Sequence, residues 1–406
     1  MAKLRIGIFG GTFDPVHNGH IQMAQSVLDA GLVDELFLVL AGSPPHKTCV
    51  ADAEDRWRML VSACASDRRL VPSSLEMDRK GISFAADTLE IVRKKHPKAD
   101  LVYIIGADSL MNLHRWKRLE TVLSACSFLV IPRPDAVDQS ALDKEIARLS
   151  GMGGHLSVFP KVPVAVSSVE VRSALAAGKV PSSLGIPVYE YCRTLGLYGT
   201  PGRIRQADRW ISSLFEALNP HRFAHSLSVA FTARRLAMIH GINPLQAEQA
   251  GLLHDCAKCF SLKEMQRVAL KNSLDVDEEM LSSGALLHSV VGARIAQDRY
   301  GMTDPEVLEA IAWHNTGHTG MSRLAMCVCL SDSIEPLRES YPLLEQIRSL
   351  AEHSLEQALL LSLESTAEYV CSRGKYLHPR TQETISWLKM LISDRGLSDN
   401  LPDTVE

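Results

Sequence analysis

Gly10-Gly11-Thr12-Phe13-Asp14-Pro15-Val16-His17-Asn18-Gly19-His20 places two adjacent glycines and two histidines, three residues apart, directly after an apolar run. Adjacent glycines let a backbone come close to a phosphate, and a helix starting beyond His20 would offer unpaired N–H groups at the positive end of its dipole. Both imidazoles can then reach one side and donate hydrogen bonds to a phosphoryl group that is gaining charge. The plainer alternative, a tight turn with two solvated histidines, does not account for strand, glycines, histidines and helix start falling together.

The second half holds a different set: His225, the pair His254-Asp255, His288, His314 and Asp332. Each sits in an otherwise apolar, helical-period stretch, and packed helices can aim such side chains at one interior point. A single one of these histidines reads best as a hydrogen-bonded core residue. Six convergent nitrogen and oxygen donors without thiolate suit a metal pair, iron, manganese or another borderline divalent ion rather than structural zinc.

Two kinds of framework are needed to position these residues. Up to about residue 200, short apolar runs (Leu4–Phe9, Leu36–Ala41, Leu101–Gly106, Phe128–Ile131, Val162–Val166) alternate with helical stretches near residues 20–30, 54–65, 85–96 and 170–177. That alternation predicts an α/β, Rossmann-like, doubly wound parallel sheet over residues 1–199, with ligands at the carboxyl ends of its strands. The turn cluster at Gly199–Gly202 and the basic residues after it mark a linker, 200–207. Residues 208–394 read as an all-α helical bundle, broken at Asn219-Pro220, Gly241–Pro244, Asp304-Pro305 and His378-Pro379, and residues 395–406 as a flexible tail.

Composition narrows the class. Over 406 residues, 43 Lys and Arg stand against 47 Asp and Glu, a net charge of -4 that implies no nucleic-acid partner. No stretch free of these residues is longer than the 14 of Met280–Ala293, which is too short and too polar to span a membrane. The N-terminus lacks the pattern of a cleavable signal, and nine scattered cysteines, including Cys256 and Cys259, suit reduced thiols, so the cytoplasm is expected. Association into a homo-oligomer is left open.

The first motif resembles that of the H-x-G-H nucleotidyltransferases. Ser43-Pro44-Pro45-His46-Lys47, Asp87-Thr88-Leu89, Ile105-Gly106-Ala107-Asp108-Ser109, Leu113–Trp116, Ile131-Pro132-Arg133-Pro134 and Val166–Arg172 narrow the resemblance to bacterial nicotinate-nucleotide adenylyltransferases. The resemblance implies transfer of AMP from ATP, with Mg2+, to nicotinate mononucleotide, giving deamido-NAD and pyrophosphate. It also implies His17, His20 and Lys47 as catalytic cations or donors. ATP contacts would come from Gly10, Gly11, Thr12, Phe13, Gly106, Asp108, Ser167, Ser168 and Arg172, and nicotinate-nucleotide contacts from Thr88, Trp116 and Arg133. Val169 departs from the family's threonine at that place and Ala86 from its commoner aliphatic residue.

The second set resembles the HD-domain phosphohydrolases, most closely the bacterial branch that cleaves diadenosine tetraphosphate into two ADP. The segments that carry the likeness are His254–Lys258, Leu287–Ala293, Trp313–Gly317 and Ser331–Pro336. The resemblance implies His225, His254, Asp255, His288, His314 and Asp332 as ligands of two divalent or iron ions, Asp255 as catalytic, and Lys258 holding a distal phosphate. His318 and Met326 stand where that family usually carries Arg and Lys, each costing a positive charge. A nucleotide-sensing module, or hydrolysis of another nucleotide such as a cyclic dinucleotide or an alarmone, is the competing expectation.

Overall fold

The computed structural model describes residues 3–44, 48–79, 81, 84–132, 138–160 and 166–394. The chain divides into two compact units, Met1–Arg205 and Gln206–Glu406.

In the first unit six strands, β1 (Arg5–Gly11), β2 (Glu35–Leu40), β3 (Leu70–Ser73), β4 (Asp100–Gly106), β5 (Ser127–Ile131) and β6 (His155–Val158), form one parallel sheet in the order β3-β2-β1-β4-β5-β6. Helices α1 (Asn18–Asp29), α2 (Ala53–Cys64), α3 (Ala85–Lys95), α4 (Ala107–Leu110), α5 (Leu119–Ala125), α6 (Gln139–Gly151), α7 (Ser168–Ala176) and α8 (Ile186–Leu195) connect and cover it. Both sheet faces are buried, which explains the unbroken apolar runs. Ile6, Ile8, Tyr103, Ile105, Phe128 and Val130 point into one core with Leu89, Val92 and Val122, while Leu36, Leu38 and Leu40 are buried on the alternate register of β2.

Two strands fall outside the apolar runs. β3 is four residues, Leu-Val-Pro-Ser, and β6 is an edge strand whose residues are largely exposed. Residues 162–165 of the expected strand, and the whole of 395–406, lie outside the described residues. The strand order reverses between β1 and β4, and their carboxyl ends form the crevice where such sheets bind ligands.

The second unit is helical: α9 (Ala207–Ala217), α10 (Pro220–Ile239), α11 (Pro244–Leu253), α12 (Leu262–Lys271), α13 (Glu278–Ser282), α14 (Gly284–Tyr300), α15 (Pro305–Trp313), α16 (Arg323–Ile334), α17 (Leu344–Ala351), α18 (Leu355–Ser372) and α19 (Pro379–Asp394). Three of the expected breaks are capped starts of one design. Asn219, Asn243 and Asp304 each accept a backbone N–H from the first turn, and the next residue is proline, whose missing N–H costs nothing there. Helices α10 and α11 cross closely, because a Cβ on Gly251 would lie 2.9 Å from the Ala230 Cα. No helix among the described residues is long and apolar enough to cross a membrane.

Gly251→Ala should therefore destabilise the second unit despite alanine's helix preference. The propensity gain is about 1 kcal/mol, whereas forcing two backbones apart costs about 1–3 kcal/mol. Denaturant unfolding should show a net loss, and a net gain would contradict the close crossing.

Candidate active sites

The β1–α1 turn is built around a buried carboxylate. Asp14 accepts hydrogen bonds from the Val50 N–H at 2.7 Å, the Ala51 N–H at 3.1 Å and the Tyr198 hydroxyl at 2.7 Å, and its carbonyl accepts from Arg172 Nη1 at 2.6 Å. Arg56, 2% exposed, donates to the carbonyls of Thr12, Ala41, Gly42 and Ala51. The loops after β1 and β2 are thus tied by one buried anion and one buried cation whose partners are mostly backbone groups. Neither was singled out by sequence reasoning. A charged residue inside a glycine-rich turn was the available signal for Asp14, and none existed for Arg56.

Helix α1 begins at Asn18, earlier than expected, because His17 serves as its N-cap. His20 then lies in the first turn, where its Nδ1 accepts the His17 backbone N–H at 3.2 Å and the two rings stack with centroids 3.6 Å apart. With Nδ1 an acceptor, the proton of neutral His20 resides on Nε2, which can donate. Both rings line a cavity of about 240 Å³ between the ends of β1 and β4, together with Gly10, Gly11, Thr12, Gly106, Asp108, Trp116 and Ser168. Trp116 packs edge-on against Tyr103, with centroids 5.4 Å apart, leaving an aromatic surface at one end.

Four expected contact residues are placed elsewhere. Phe13 is 1% exposed and supports the turn from beneath; its ring meets His20 edge-on at 5.2 Å, and a Cβ on Gly11 would fall 2.9 Å from it. The glycine is thus required by the phenylalanine as well as by any ligand. Thr88 is buried and donates to Glu76 Oε1 at 2.6 Å. The Ser167 hydroxyl caps α7, accepting the Val169 N–H at 3.1 Å, and Arg172 is engaged with Asp14 as above. Lys47 and Arg133 lie outside the described residues.

In the second unit all six expected side chains meet. His225 projects from α10, His288 from α14 and Asp332 from α16. His254-Asp255 and His314 lie just past the ends of α11 and α15 rather than within helices. That placement follows from capping, since His254 Nδ1 donates to the Gly251 carbonyl at 2.7 Å and His314 Nδ1 to the Ile311 carbonyl at 2.8 Å. Each ring is held as the Nδ1–H tautomer with the Nε2 lone pair aimed inward.

Asp255 stands at the centre. Its Oδ1 lies 3.2 Å from His288 Nε2 and 3.8 Å from His314 Nε2, and its Oδ2 lies 3.5 Å from His254 Nε2 and 4.0 Å from His225 Nε2. Asp332 Oδ1 is 3.0 Å from His225 Nε2 and 3.9 Å from that of His254. The set therefore has two lobes sharing one carboxylate: His225, His254 and Asp332 on one side, His288 and His314 on the other. Ligand atoms of one metal lie about 3–4 Å apart, so this spacing fits ion binding. His254 Nε2 is buried with no hydrogen-bond donor facing it, as a metal ligand's nitrogen would be.

The electrostatics agree with a set of neutral imidazoles around ionised carboxylates. Burial, aided by neighbouring imidazole charge, pushes His288 and His314 down to about 4 and also lowers His254. His225 differs: although burial opposes its charging, hydrogen bonds to Asp332 and Glu335 push it up to about 9. Burial alone would raise Asp255 and Asp332, but surrounding histidines hold both well below the usual carboxylate range. Three further residues were missed. Glu335 meets His225 Nδ1 at 3.1 Å, Arg222 Nη1 pairs with Asp255, and Arg338 Nη2 lies 3.4 Å from Asp332. Glu335 and Arg222 each lie three positions from a ligand, the helical spacing that could have revealed them.

Comparison with known proteins places both units in a class. Residues 8–174 match the cytidylyltransferase-like family and residues 222–337 the HD domain. A Clostridium tetani protein described as "Probable nicotinate-nucleotide adenylyltransferase" is 34% identical over 197 residues, 47% of this chain and 97% of that protein. The chain belongs to the nicotinate-nucleotide adenylyltransferase family and carries an HD domain after it. A Mycoplasma genitalium protein, "Probable nicotinate-nucleotide adenylyltransferase/Ap4A hydrolase", is 27% identical over 368 residues, covering 89% of this chain and 97% of its own. A crystal structure from Clostridium acetobutylicum, of a "predicted HD superfamily hydrolase involved in NAD metabolism", shares 33% identity over 46% of this chain and 99% of its own, with a TM-score of 0.45.

Two outcomes follow. Asp14→Asn points an amide N–H at a backbone donor and should cost the first unit about 1–3 kcal/mol in denaturant unfolding. For metal-free protein, His288 and His314 stay neutral when folded but charge near 6.5 when unfolded, so stability falls as pH drops from about 6.5 toward 4. His225 has the opposite sign: its contribution is complete below about 6.5 and is lost as pH rises through about 9. Thermal melts of chelator-treated protein should show the second unit most stable near pH 6.5, and a monotonic rise from pH 5 to 9 would contradict this assignment.

Proposed function

We propose a bifunctional enzyme whose first unit joins AMP from ATP to nicotinate mononucleotide and whose second hydrolyses diadenosine tetraphosphate to two ADP. For the first unit the supporting observation is the cavity at the strand-order reversal, lined by His17 and His20 below an aromatic wall, in a chain of this family. The 5'-phosphate oxygen of nicotinate mononucleotide attacks the α-phosphorus of ATP, a P–O bond forms, and the α–β anhydride breaks to release pyrophosphate. The nucleophile is already anionic, so catalysis consists of positioning and charge neutralisation. His20 Nε2–H and His17 donate to the α-phosphoryl oxygens as charge builds. Trp116 offers a stacking face for the pyridine ring, Ser168 and the amides of the glycine turn meet ATP phosphates, and Mg2+ accompanies ATP. Lys47 and Arg133 are assigned to phosphate and nucleotide contacts on the family resemblance.

For the second unit the supporting observation is the two-lobed convergence of His225, His254, Asp255, His288, His314 and Asp332, a fit to two divalent ions, iron by the family resemblance. Such ions lower the pKa of water and offset phosphate charge. Around them, Glu335 orients His225, the Gly251 and Ile311 carbonyls orient His254 and His314, and Lys258 is available to a phosphate of the substrate. The Mycoplasma genitalium relative joins the same two activities in its name.

Product analysis of the full chain is the test. ATP with nicotinate mononucleotide should yield deamido-NAD and pyrophosphate, and diadenosine tetraphosphate should yield ADP only when divalent metal is present. His17→Ala or His20→Ala should lower the first reaction by about 10²–10³ and leave the second intact; Asp255→Asn should do the reverse and reduce bound metal. Tight binding of diadenosine tetraphosphate without product would instead identify a sensing module, and turnover of a cyclic dinucleotide or alarmone alone would replace the substrate.

A further inference from the structure

Strand β4 reads Leu101-Val102-Tyr103-Ile104-Ile105, and the tyrosine puts one oxygen into a run that is otherwise hydrocarbon. A buried hydroxyl costs free energy unless it finds a hydrogen-bond partner, so buried tyrosines ordinarily have one. In the same unit Tyr191 donates to Asp55 Oδ1 at 2.7 Å and Tyr198 to Asp14 Oδ1 at 2.7 Å. Tyr103 is 8% exposed, yet its hydroxyl has no hydrogen-bond partner among the described residues. The residue forms instead part of the wall of the cavity that holds His17, His20 and Trp116.

The sheet register explains how it reaches that cavity. Tyr103 sits opposite Ile8 on β1, and Gly10, two residues further along β1, belongs to the same face of the sheet. The missing side chain of Gly10 leaves room for the tyrosine to extend toward the carboxyl ends of the strands: a Cβ on Gly10 would lie 3.0 Å from the hydroxyl oxygen and 4.0 Å from Cζ. Trp116 and Phe128 hold the ring, with centroids 5.4 Å and 5.8 Å away. The oxygen is therefore fixed between the indole and the glycine turn. Burial, with the field of the Glu76 carboxylate, raises the phenol, so near pH 7 it is a neutral group that can both donate and accept.

We propose that the Tyr103 hydroxyl hydrogen-bonds the ribose of the pyridine nucleotide and so sets the affinity for that substrate and not for ATP. This deepens the adenylyltransferase reading and rests on it. With the pyridine ring on Trp116 and the 5'-phosphate at the glycine turn, the part of nicotinate mononucleotide that spans the gap is the sugar. Its hydroxyls and ring oxygen match a group of mixed donor and acceptor character. An oxygen that is unpaired in the free protein gains its partner only on binding.

The test compares the full-length protein with its Tyr103→Phe variant, which removes the oxygen and keeps the ring. Loss of a hydroxyl that served the fold would lower the melting temperature, whereas loss of an unpaired one should leave it unchanged or raise it. By calorimetry, nicotinate mononucleotide should bind about three- to tenfold more weakly, the worth of one neutral hydrogen bond. Nicotinamide mononucleotide, which carries the same sugar, should weaken by the same factor, and ATP should not weaken. In turnover the KM for nicotinate mononucleotide should rise in parallel with kcat nearly unchanged. Gly10→Ala should weaken nicotinate mononucleotide more in the wild-type background than in the Tyr103→Phe background, because only the hydroxyl comes within 3.0 Å of the added methyl. A lower melting temperature, an equal loss for ATP, a loss confined to nicotinate mononucleotide, additive effects at Gly10, or unchanged binding would each overturn the ribose contact. Tyr103-dependent binding of both mononucleotides without formation of deamido-NAD would leave the contact standing and remove the reaction. Deamido-NAD formation with a KM indifferent to the oxygen would do the converse.

Discussion

What an imidazole can do at its inner nitrogen is decided by the hydrogen bond at its outer one, and both sites depend on that constraint. His20 accepts a backbone N–H at Nδ1, which leaves a proton on Nε2 and makes the ring a donor toward negative charge. His254 and His314 donate from Nδ1 to backbone carbonyls, which leaves bare lone pairs on Nε2 and makes those rings potential ligands. In each case the deciding partner is a helix-terminal backbone group. A first turn presents unpaired N–H groups and a last turn presents unpaired carbonyls, so placement at opposite helix ends gives one side chain opposite chemistry.

This dependence also explains how much the sequence disclosed. The strands β1, β2, β4 and β5 were legible because burial on both faces writes them as continuous apolar runs, whereas β3 is short and contains Pro72, and β6 is an exposed edge. The six acidic and imidazole residues of the second unit were legible by type, and the structure brings them together. What remained hidden was the support. Glu335 behind His225, Arg56 behind the Thr12 carbonyl and Asp14 under the glycine turn act through single side chains meeting backbone or ring atoms far away in the chain, and no periodicity records such contacts. Phe13, Thr88 and Ser167, whose motif positions suggest a ligand, also have protein contacts that the sequence does not record.

Asp255 shows how tightly charge is balanced where the helices meet. It is buried, faces four imidazoles and a guanidinium, and stays ionised because those neighbours outweigh the desolvation that would neutralise it. Deleting one member of such a cluster leaves the others uncompensated, so its residues form a unit rather than a sum of pairs. The close approach of α10 and α11 at Gly251 is the packing counterpart, since it brings His225 and His254 together near one carboxylate oxygen of Asp255.

On the proposed chemistry, the two units differ for a reason rooted in their nucleophiles. A phosphate monoester attacking another phosphate is already charged, and the obstacle is repulsion, which proton-bearing imidazoles and a cation travelling with ATP can relieve without a resident metal. Water attacking a phosphoanhydride is neutral and a poor nucleophile at neutral pH, so acidifying it requires a strong local positive charge that no protonated histidine supplies. The first unit therefore presents imidazole protons to its substrate, and the second keeps His254 and His314 buried, with their protons on Nδ1 and their inner nitrogens bare. Burial depresses the titration of His288 and His314, and a ring kept neutral near pH 7 is the form that can offer a lone pair.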